Sequence, residues 1–422
     1  MSVVISHPSV APFVQQAARA LHEAGQLDRF ITTVRDDPSG VLQRVASGLG
    51  RLGGRDLPAL FRRRAVTEVP LDKVETLPWG ELLRLAAGAV DRDGRLTDIV
   101  WEKTEARFDR QVARRLRRDL TGVYGYEHSS LLTFEAARAM GLKIAYDMPS
   151  PEPRFVQQIL DKEIGQFPEL RTAYHHHTAK REERRIAHRR AEWHLADIVI
   201  AASEFTRQSF AEAGLDVGKV QVVSYGAPPV AAREEALGTD STRAPAIFIW
   251  AGTFSIRKGA HYLIDAWRSG DFGRHARLKV FGTVALPEKA LNPLPAGIEF
   301  CGSIPRPSLM EHYRSSDALI FPTLCDGFGM VATEAWSRGL PVITTDRAGA
   351  SDLLKDRQNG LLIRAGDAQW IAAAIHWCLD HRSELRAMRE SALETAANWQ
   401  WQDYRRSLGA RLRAGGLFGH FA

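Results

Sequence analysis

The stretch PTLCDGFGMVATEA, which runs from Pro322 to Ala335, decides how the rest of this chain is interpreted. The apolar run 318–321 before it predicts a short buried strand, and the apolar spacing over 330–338 predicts a helix. A strand, a glycine loop and a helix N-terminus present backbone N–H groups to an anion such as phosphate. An ordinary strand-to-helix turn with two surface acids would share this local pattern, so the surrounding residues must decide.

Two carboxylates bracket the loop, since Asp326 and Glu334 lie eight positions apart. A carboxylate accepts hydrogen bonds from adjacent hydroxyls, as on a ribose or hexose ring. Amides that bind phosphate, flanked by acids that bind hydroxyls, suit a nucleotide sugar.

The length and composition indicate a two-domain globular protein. A chain of 422 residues exceeds the size of a single core, and its content is 45% hydrophobic and 25% charged. No apolar run is long enough to cross a bilayer, and we expect no signal peptide because 1–5 opens directly into a strand-like segment. The three cysteines, Cys301, Cys325 and Cys378, form no CxxC pair, which favours a reducing cytoplasm and no cysteine metal site.

The net charge of +6 favours anionic partners such as nucleotide phosphates or acidic lipid headgroups. No aromatic-basic motif of a nucleic-acid-binding module is present, so we expect no nucleic-acid partner. Basic stripes at 51–64 and 107–118 are interpreted as solvated helix faces, with contact to an anionic membrane surface as the alternative. The basic stretch 171–190, which contains His175-His176-His177, is likewise interpreted as a solvated helix, with an acceptor-facing or membrane-facing surface as the alternative.

The N-terminal half alternates strands and helices. A strand at 3–6, a helix over 10–24 and a strand at 30–34 predict a βαβ unit of an open parallel sheet. Residues 38–120 are harder to interpret, with helical patches at Trp79–Val90 and 103–120.

Ligands bind beyond the carboxyl ends of the strands in such sheets, so His7 and Asp147 are candidate cleft residues. The alternative for His7 is a histidine that hydrogen-bonds its own loop.

The second half begins a new sheet near residue 247, after a polar segment that predicts a linker. In the loop that follows, Arg257 and Lys258 are adjacent cations. Such a pair suits a diphosphate and would stabilise a leaving group as its negative charge grows. The alternative is two solvent-exposed cations without a ligand.

The stretch 322–346 resembles the donor-site signature of the retaining glycosyltransferases of family 4, in which two acids frame a Gly-Phe-Gly loop. This chain has Asp326 where that family usually has Glu, Thr253 where it has Arg, and Tyr225 where it has Asn. The resemblance is close in the C-terminal half and weak in the N-terminal half. It implies an α/β protein of the GT-B fold: two Rossmann-like domains that face an interdomain cleft, with a last helix that returns to the first domain. The implied boundaries are an acceptor domain 1–230, a linker 231–245, a donor domain 246–396 and a returning helix 397–422.

The resemblance also implies roles for single residues. Lys258 and Arg257 would hold the diphosphate, Glu334 the ribose hydroxyls and Asp326 the hydroxyls of the transferred sugar. His128 best matches a histidine that lines the sugar pocket in that family, which completes a candidate catalytic set of Asp326, Glu334, Lys258 and His128. The predicted donor-binding residues are Gly252, Thr253, Arg257, Lys258, Gly282, Ser303, Ile304, Gly327, Phe328, Gly329, Met330, Val331 and Glu334.

The function predicted in this way is a retaining glycosyltransferase of polysaccharide biosynthesis that needs no metal and no cofactor. Its donor would be a UDP-, GDP- or ADP-sugar, and its acceptor a glycan, a lipid-linked molecule or a small molecule. We expect a cytoplasmic location, with peripheral contact to the inner face of the membrane left open. The alternatives are a nucleotide-sugar epimerase or phosphorylase of the same fold, or a catalytically silent protein that binds nucleotide sugars.

Overall fold

The computed structural model describes residues 2–37, 51–52, 55–56, 64–91, 93–237 and 245–418, and it contains two parallel sheets flanked by helices. The strands are β1 Val3–Ser6, β2 Leu27–Thr32, β3 Arg51–Leu52, β4 Arg55–Asp56, β5 Val74–Thr76, β6 Gly122–Tyr126, β7 Lys143–Met148, β8 Ile198–Ala201, β9 Val220–Val222, β10 Ala246–Ala251, β11 Ala276–Phe281, β12 Ile298–Gly302, β13 Ala318–Phe321, β14 Val342–Thr345 and β15 Gly360–Ile363.

The helices are α1 Pro12–Glu23, α2 Trp79–Val90, α3 Arg95–Ala113, α4 Leu131–Ala139, α5 Pro153–Gln166, α6 Ala173–Leu195, α7 Glu204–Glu212, α8 Arg233–Leu237, α9 Ala260–Ser269, α10 Glu288–Leu291, α11 Arg306–Arg314, α12 Met330–Trp336, α13 Ala368–Asp380, α14 Arg382–Asn398 and α15 Trp401–Ala414.

The two large sheets have the same kind of strand order. The first runs β5-β2-β1-β6-β7-β8-β9 and the second runs β12-β11-β10-β13-β14-β15. Each order reverses direction once, between β1 and β6 in the first sheet and between β10 and β13 in the second. Ligands of doubly wound sheets bind at this reversal, beyond the carboxyl ends of the strands. The fold therefore places the candidate sites in the loops that follow β1, β6, β10 and β13.

The strands at the reversal points are apolar because helices cover both faces of each sheet. Every residue of β1, β6 and β13 is buried. Strands buried on both faces form continuous apolar runs, which is why the apolar run 318–321 predicts a buried strand.

The last helix packs against the first domain, as predicted. In α15, Tyr404, Leu408 and Leu412 are buried, and the Arg405 side chain donates to Glu23 and Gln16 of α1. The fold prediction is confirmed in this respect. The domain boundaries stay a prediction, and residues 238–244 of the proposed linker lie outside the described residues.

The two domains share an apolar junction as well as a cleft. Tyr225 of the first domain lies 5.1 Å from Phe13, 5.3 Å from Phe328 of the second domain and 6.1 Å from Trp401, between ring centroids. Elsewhere, His261 Nε2 of α9 lies 3.0 Å from Glu163 Oε2 of α5, with both side chains buried. No helix in the described parts of the chain has the length and apolar character of a membrane-crossing segment.

Candidate functional site

Two glycines bring the loops after β10 and β11 together. Gly252 and Gly282 have φ angles of +103° and +138°, which residues with a side chain rarely adopt. A Cβ on Gly282 would lie 2.1 Å from the carbonyl oxygen of Gly252. The backbones therefore touch. The edge formed by the carboxyl ends of the strands, which we call the rim of the sheet, carries no side chain at this point in the second sheet.

The cations predicted at this rim lie in a short 3₁₀ turn, Ile256–Lys258. The turn ends at Gly259, where a Cβ would lie 2.1 Å from the carbonyl oxygen of Pro322. The backbone N–H of Leu324 donates to the carbonyl of Arg257 at 2.9 Å. The turn after β10 is thus fixed to the loop after β13, although more than 60 residues separate the two segments in the chain.

The charge of these cations is only weakly neutralised. Lys258 Nζ lies 3.5 Å from Asp326 Oδ2 and 5.2 Å from the centre of the Phe321 ring. The side chain of Arg257 forms no ion pair or hydrogen bond with any described residue, and Thr253, four positions earlier in the chain, is exposed. Positive charge at this rim is therefore available to a ligand.

The carbonyl groups of the glycine loop are all engaged. The carbonyls of Asp326 and Phe328 accept from the backbone N–H groups of residues 349 and 350, at 3.0 and 2.6 Å. The carbonyl of Gly327 accepts from Ser203 Oγ of the first domain at 2.6 Å. These bonds fix the loop with its carbonyls turned toward protein.

The amide groups of the same loop are free by contrast. Among the described residues, none accepts a hydrogen bond from the backbone N–H groups of residues 327–331. Gly329, with φ of +84°, makes the turn that leads into α12. Five consecutive N–H donors without a protein partner are an arrangement that an oxyanion can satisfy.

The side chain of Phe328 lies at the junction between the two domains. Its ring is 2% exposed and packs against Tyr225, while a Cβ on Gly327 would lie 1.9 Å from the carbonyl oxygen of Pro149. Both residues therefore contact the first domain. Only their backbone amides remain available for a ligand, and a role for these amides in holding the diphosphate stays a prediction.

The second predicted acid, Glu334, is 9% exposed and lies 2.8 Å from the guanidinium of Arg306. Burial raises the pKa of the Glu334 carboxyl, and the charge of Arg306 acts in the opposite direction. Arg306 begins α11, just beyond the predicted contact residues Ser303 and Ile304 at the end of β12. Arg306 is not among the predicted site residues, although a basic residue just beyond the carboxyl end of a predicted strand indicates such a role.

The polar groups at the rim of the first sheet are turned inward. Asp147 is fully buried, accepts a hydrogen bond from the Tyr124 hydroxyl at 2.6 Å, and has its pKa raised to about 7 by burial. Its prediction as a cleft residue is wrong, because β7 buries Asp147 with its neighbours. His7 is half-buried and its Nδ1 accepts from the backbone N–H of Ser9 at 2.9 Å. Burial lowers the pKa of His7 to about 4, so its ring is neutral at ordinary pH.

His128 lies in a separate cavity of about 280 Å³ between α3 and α6. Its ring lies 5.2 Å from Trp101 and 6.3 Å from His188, between centroids, and its backbone N–H donates to Glu192. Burial and the nearby arginines lower its pKa to about 2. His128 does not line the cavity that contains Arg257. The structure therefore brings Lys258 and Asp326 together but leaves His128 apart from them.

A cavity of about 1040 Å³ separates the two domains. Its second-domain wall includes Arg257 and the segment 283–285, and its first-domain wall includes His175, His176 and Arg185 of α6. The basic stretch 171–190 therefore faces the cleft over part of its length. His176 is exposed and borders this cavity, so the solvated-helix interpretation and the acceptor-facing alternative both stay predictions.

Comparison with known proteins supports this architecture. The sequence model of the family described as "Glycosyl transferases group 1" matches residues 245–381. The chain is 34% identical over 104 residues to a D-inositol 3-phosphate glycosyltransferase of Nocardia farcinica, and 30% identical over 99 residues to D-inositol 3-phosphate glycosyltransferase 1 of Catenulispora acidiphila. These matches cover 25% and 24% of this chain and 23% and 24% of the relatives. The matched region thus spans about a quarter of the length of these curated relatives.

Solved structures match over almost the whole chain. Sucrose-phosphate synthase of Thermosynechococcus elongatus superimposes with a TM-score of 0.66 at 16% identity, over 98% of both chains. The Anabaena protein HepE in complex with UDP-glucose gives a TM-score of 0.60 at 16% identity, over 98% of this chain and 100% of HepE. These likenesses show the fold: two Rossmann-like domains in the GT-B arrangement.

Proposed function

We propose that this chain is a retaining glycosyltransferase that moves a sugar from a nucleotide-diphosphate sugar to an acceptor. One observation carries the proposal: the five N–H groups of residues 327–331, which no described residue accepts, lie in the loop whose Asp326 side chain is 3.5 Å from Lys258. Amides and ammonium groups together match the oxygens of a diphosphate. The match of residues 245–381 to a glycosyltransferase family supports the same interpretation.

The chemistry proposed for this site is stabilisation of the leaving group. As the anomeric bond breaks, negative charge grows on the departing diphosphate, and fixed donors stabilise that charge because they need no reorganisation. Arg257 and Lys258 supply the positive charge in this proposal, so no metal ion and no cofactor takes part.

The two acids would orient the donor. Asp326 would accept hydrogen bonds from hydroxyls of the transferred sugar, and Glu334 from the ribose hydroxyls. Arg306 would keep Glu334 ionised within a buried environment. His128 takes no part in the proposed chemistry, because it lies in the separate cavity between α3 and α6.

The acceptor would bind against the first-domain wall of the interdomain cavity. Arg171 and His176 line that wall, and neither forms an ion pair with a described residue. An acceptor that carries negative charge, whether a small molecule, a glycan or a lipid-linked molecule, would fit these groups. We place the reaction in the cytoplasm, in polysaccharide biosynthesis, with the enzyme in peripheral contact with the inner face of the membrane.

The test combines binding and turnover. A ligand held by the folded protein raises its melting temperature. Among UDP-, GDP- and ADP-sugars, those with one of the three bases should raise the melting temperature strongly and those with the other two only weakly. The stabilising donor should then release its nucleotide only when an acceptor is added, and the product should keep the anomeric configuration of the donor by NMR. No stabilisation by any nucleotide sugar would overturn the proposal.

The same assay separates the alternatives. Conversion of the sugar without an acceptor would indicate an epimerase, and release that depends on inorganic phosphate would indicate a phosphorylase. Stabilisation without any release, across glycan, lipid-linked and small-molecule acceptors, would indicate a silent nucleotide-sugar-binding protein.

A further inference from the structure

His128 has a backbone conformation that residues with a side chain rarely adopt. Its φ angle is +71°, in the left-handed region. The buried carboxylate of Glu192 holds this turn, because it accepts from the backbone N–H groups of His128 and Ser130 at 3.0 and 2.9 Å. The Tyr146 hydroxyl donates to the same carboxylate at 2.6 Å. Such conformations persist where the surrounding structure fixes them, and they cluster at ligand sites. The bonds to Glu192 therefore fix the position of the His128 ring.

The His128 ring lines the cavity of about 280 Å³ between α3 and α6. Its two ring nitrogens form no hydrogen bond with a described residue. Trp101 of α3 forms another part of the wall, since its ring lies 5.2 Å from the His128 ring between centroids and 5.2 Å from the guanidinium carbon of Arg185. An aromatic wall with a few fixed polar groups is the usual composition of a small-molecule site.

The positive charges beside this cavity are neutralised by acids of the first domain. Arg185 pairs with Asp98 at 2.8 Å, and Arg184 pairs with Glu102. His188 lies 3.3 Å from the buried carboxylate that holds the left-handed turn. An anionic ligand would therefore meet no uncompensated positive charge in this cavity.

The two other ionisable groups that line the cavity are neutral at ordinary pH. Burial raises the pKa of Glu105 to about 8, and burial lowers the pKa of His128 to about 2. A protonated carboxyl and a neutral imidazole each offer both a hydrogen-bond donor and an acceptor. Hydroxyl groups also donate and accept, so this set matches a sugar better than it matches a charged ligand.

Arg185 of α6 lines three neighbouring cavities. Besides the cavity at His128, it lines one of about 680 Å³ and the interdomain cavity of about 1040 Å³. Trp101 lines the first two of these cavities, and Tyr174 lines the last two. The three cavities therefore adjoin one another along α6, from the cleft near Arg257 to the turn at His128.

We propose that the cavity at His128 binds one neutral sugar unit of a glycan acceptor, remote from the unit that receives the transferred sugar. This assignment rests on the proposed function, because it takes the interdomain cavity as the place of transfer. A volume of about 280 Å³ is close to the lower end for small-molecule sites, which suits a single sugar ring. The Trp101 ring suits the C–H face of that sugar, and the fixed His128 nitrogens suit its hydroxyls. The acceptor in this proposal is an oligosaccharide.

Binding of uncharged oligosaccharides without any donor tests the cavity directly. The probes are gluco-, galacto-, manno- and N-acetylglucosamine oligosaccharides of increasing length, measured by titration calorimetry with the full chain. One series should bind, and its affinity should rise with length as the distal unit reaches the cavity. Absence of binding in every series would overturn the proposal, and so would a free monosaccharide that binds as tightly as the longest member.

A substitution at the edge of the cavity separates this site from the donor rim. Ala106 of α3 is exposed and lines the cavity, so Ala106→Trp should fill it without disturbing the core. Oligosaccharide affinity should fall at least about tenfold. Ala187→Trp is the matched control, because Ala187 is exposed on α6 and lines none of these three cavities, and it should bind as the unmodified chain does. An equal loss in both variants would overturn the proposal.

A second variant tests the His128 ring. Asparagine tolerates the left-handed conformation, so His128→Asn should keep the turn and the thermal melt while it removes the imidazole. Oligosaccharide affinity should fall about 3- to 10-fold, the effect of one hydrogen bond. Unchanged affinity would overturn the proposal. Weaker thermal stabilisation by the nucleotide sugar would also overturn it, because the ring would then contact the donor.

Donor binding separates this inference from the proposed function. Stabilisation by a nucleotide sugar without any oligosaccharide binding would leave the transferase in place and overturn the role of the cavity. Oligosaccharide binding that Ala106→Trp abolishes, without stabilisation by any nucleotide sugar, would support the sugar site and overturn the transferase. In turnover, Ala106→Trp should raise the KM for the oligosaccharide and leave the donor KM unchanged. A fall in kcat with an unchanged oligosaccharide KM would overturn the proposal.

Discussion

The two sheets share one strand order, yet the chemistry at their carboxyl ends is opposite. At the second rim, Lys258, Arg257 and the amides of 327–331 have few or no protein partners. At the first rim, His7 and Asp147 are neutral or buried and are bonded within their own domain. Topology therefore locates a rim, but a rim becomes a binding site only where its polar groups remain unsatisfied.

The difference arises from residue size at the strand ends. Tyr126, the last residue of β6, is fully buried, and its ring lies 4.7 Å from the His7 ring between centroids. At the second rim Gly252 and Gly282 remove side chains, so backbone and cations reach the surface. Four predictions test this contrast, in decreasing order of their expected size.

Replacing Lys258 with alanine should have the largest effect. We expect kcat/KM to fall at least about 100-fold, on the order of 3 kcal/mol, because a charge that stabilises the leaving group is lost. Thermal stabilisation by the nucleotide should also weaken. Arg274→Ala is the control. Arg274 is 82% exposed and lies just before β11, at the amino ends of the strands and so away from the candidate site. Unchanged turnover in Lys258→Ala would remove this residue from the site.

Replacing Gly327 with alanine should destabilise the protein by about 1–3 kcal/mol in chemical denaturation, because the new Cβ would meet the carbonyl of Pro149. Donor binding should weaken with it, since the loop would have to shift. Gly165→Ala in α5 is the matched control: its Cβ meets nothing within 4 Å, and helix propensity predicts a neutral or slightly stabilising change. Equal behaviour of the two variants would contradict the close contact between the domains.

Replacing Asp147 with asparagine should change how stability depends on pH. The pKa of Asp147 is raised from 3.8 to about 7, so the folded state holds the proton more tightly than the unfolded chain. This contribution is complete below pH 3.8 and is lost as the pH rises to about 7. Urea unfolding from pH 4 to 8 should show this decline in the unmodified chain and a smaller one in Asp147→Asn. The same decline in both proteins would show that Asp147 ionises normally.

Replacing Arg306 with alanine should have the smallest effect, about 1 kcal/mol. Glu334 would lose its nearest positive charge, so its pKa should rise further. We expect the donor KM to increase about 5- to 10-fold and the acidic limb of the kcat/KM profile to move to higher pH, since the carboxylate must be ionised to accept from hydroxyls. Arg314→Ala on the same helix, where Arg314 pairs with Glu311 at the surface, should leave both unchanged. An unshifted acidic limb would contradict the role of this pair.

Local patterns allowed much of this architecture to be predicted. The glycine loop, the cations at 257–258 and the bounds Trp79–Val90 of α2 follow from glycine placement, charge and apolar spacing. The helix expected over 103–120 begins instead at Arg95 and ends at Ala113, although Leu96, Ile99 and Val100 already recur at helical spacing in its first turns.

Features that depend on packing between distant segments could not be predicted. The sequence does not show that Phe328 turns toward Tyr225, that Arg306 pairs with Glu334, or that Asp147 is covered. The same holds for α6, whose alternation of Arg, Glu and His is typical of a solvated helix but whose position faces the second domain.

The chain passes between the domains twice, and the two passages are bonded to each other. The backbone N–H of Ala227 donates to the carbonyl of Trp399 at 2.9 Å, and Trp399 Nε1 donates to the carbonyl of Ser224 at 2.9 Å. Gly226 lies so close that a Cβ would be 2.3 Å from the Trp401 nitrogen. A protease cut between residues 238 and 244 would therefore leave two fragments that elute together in gel filtration, with donor affinity retained.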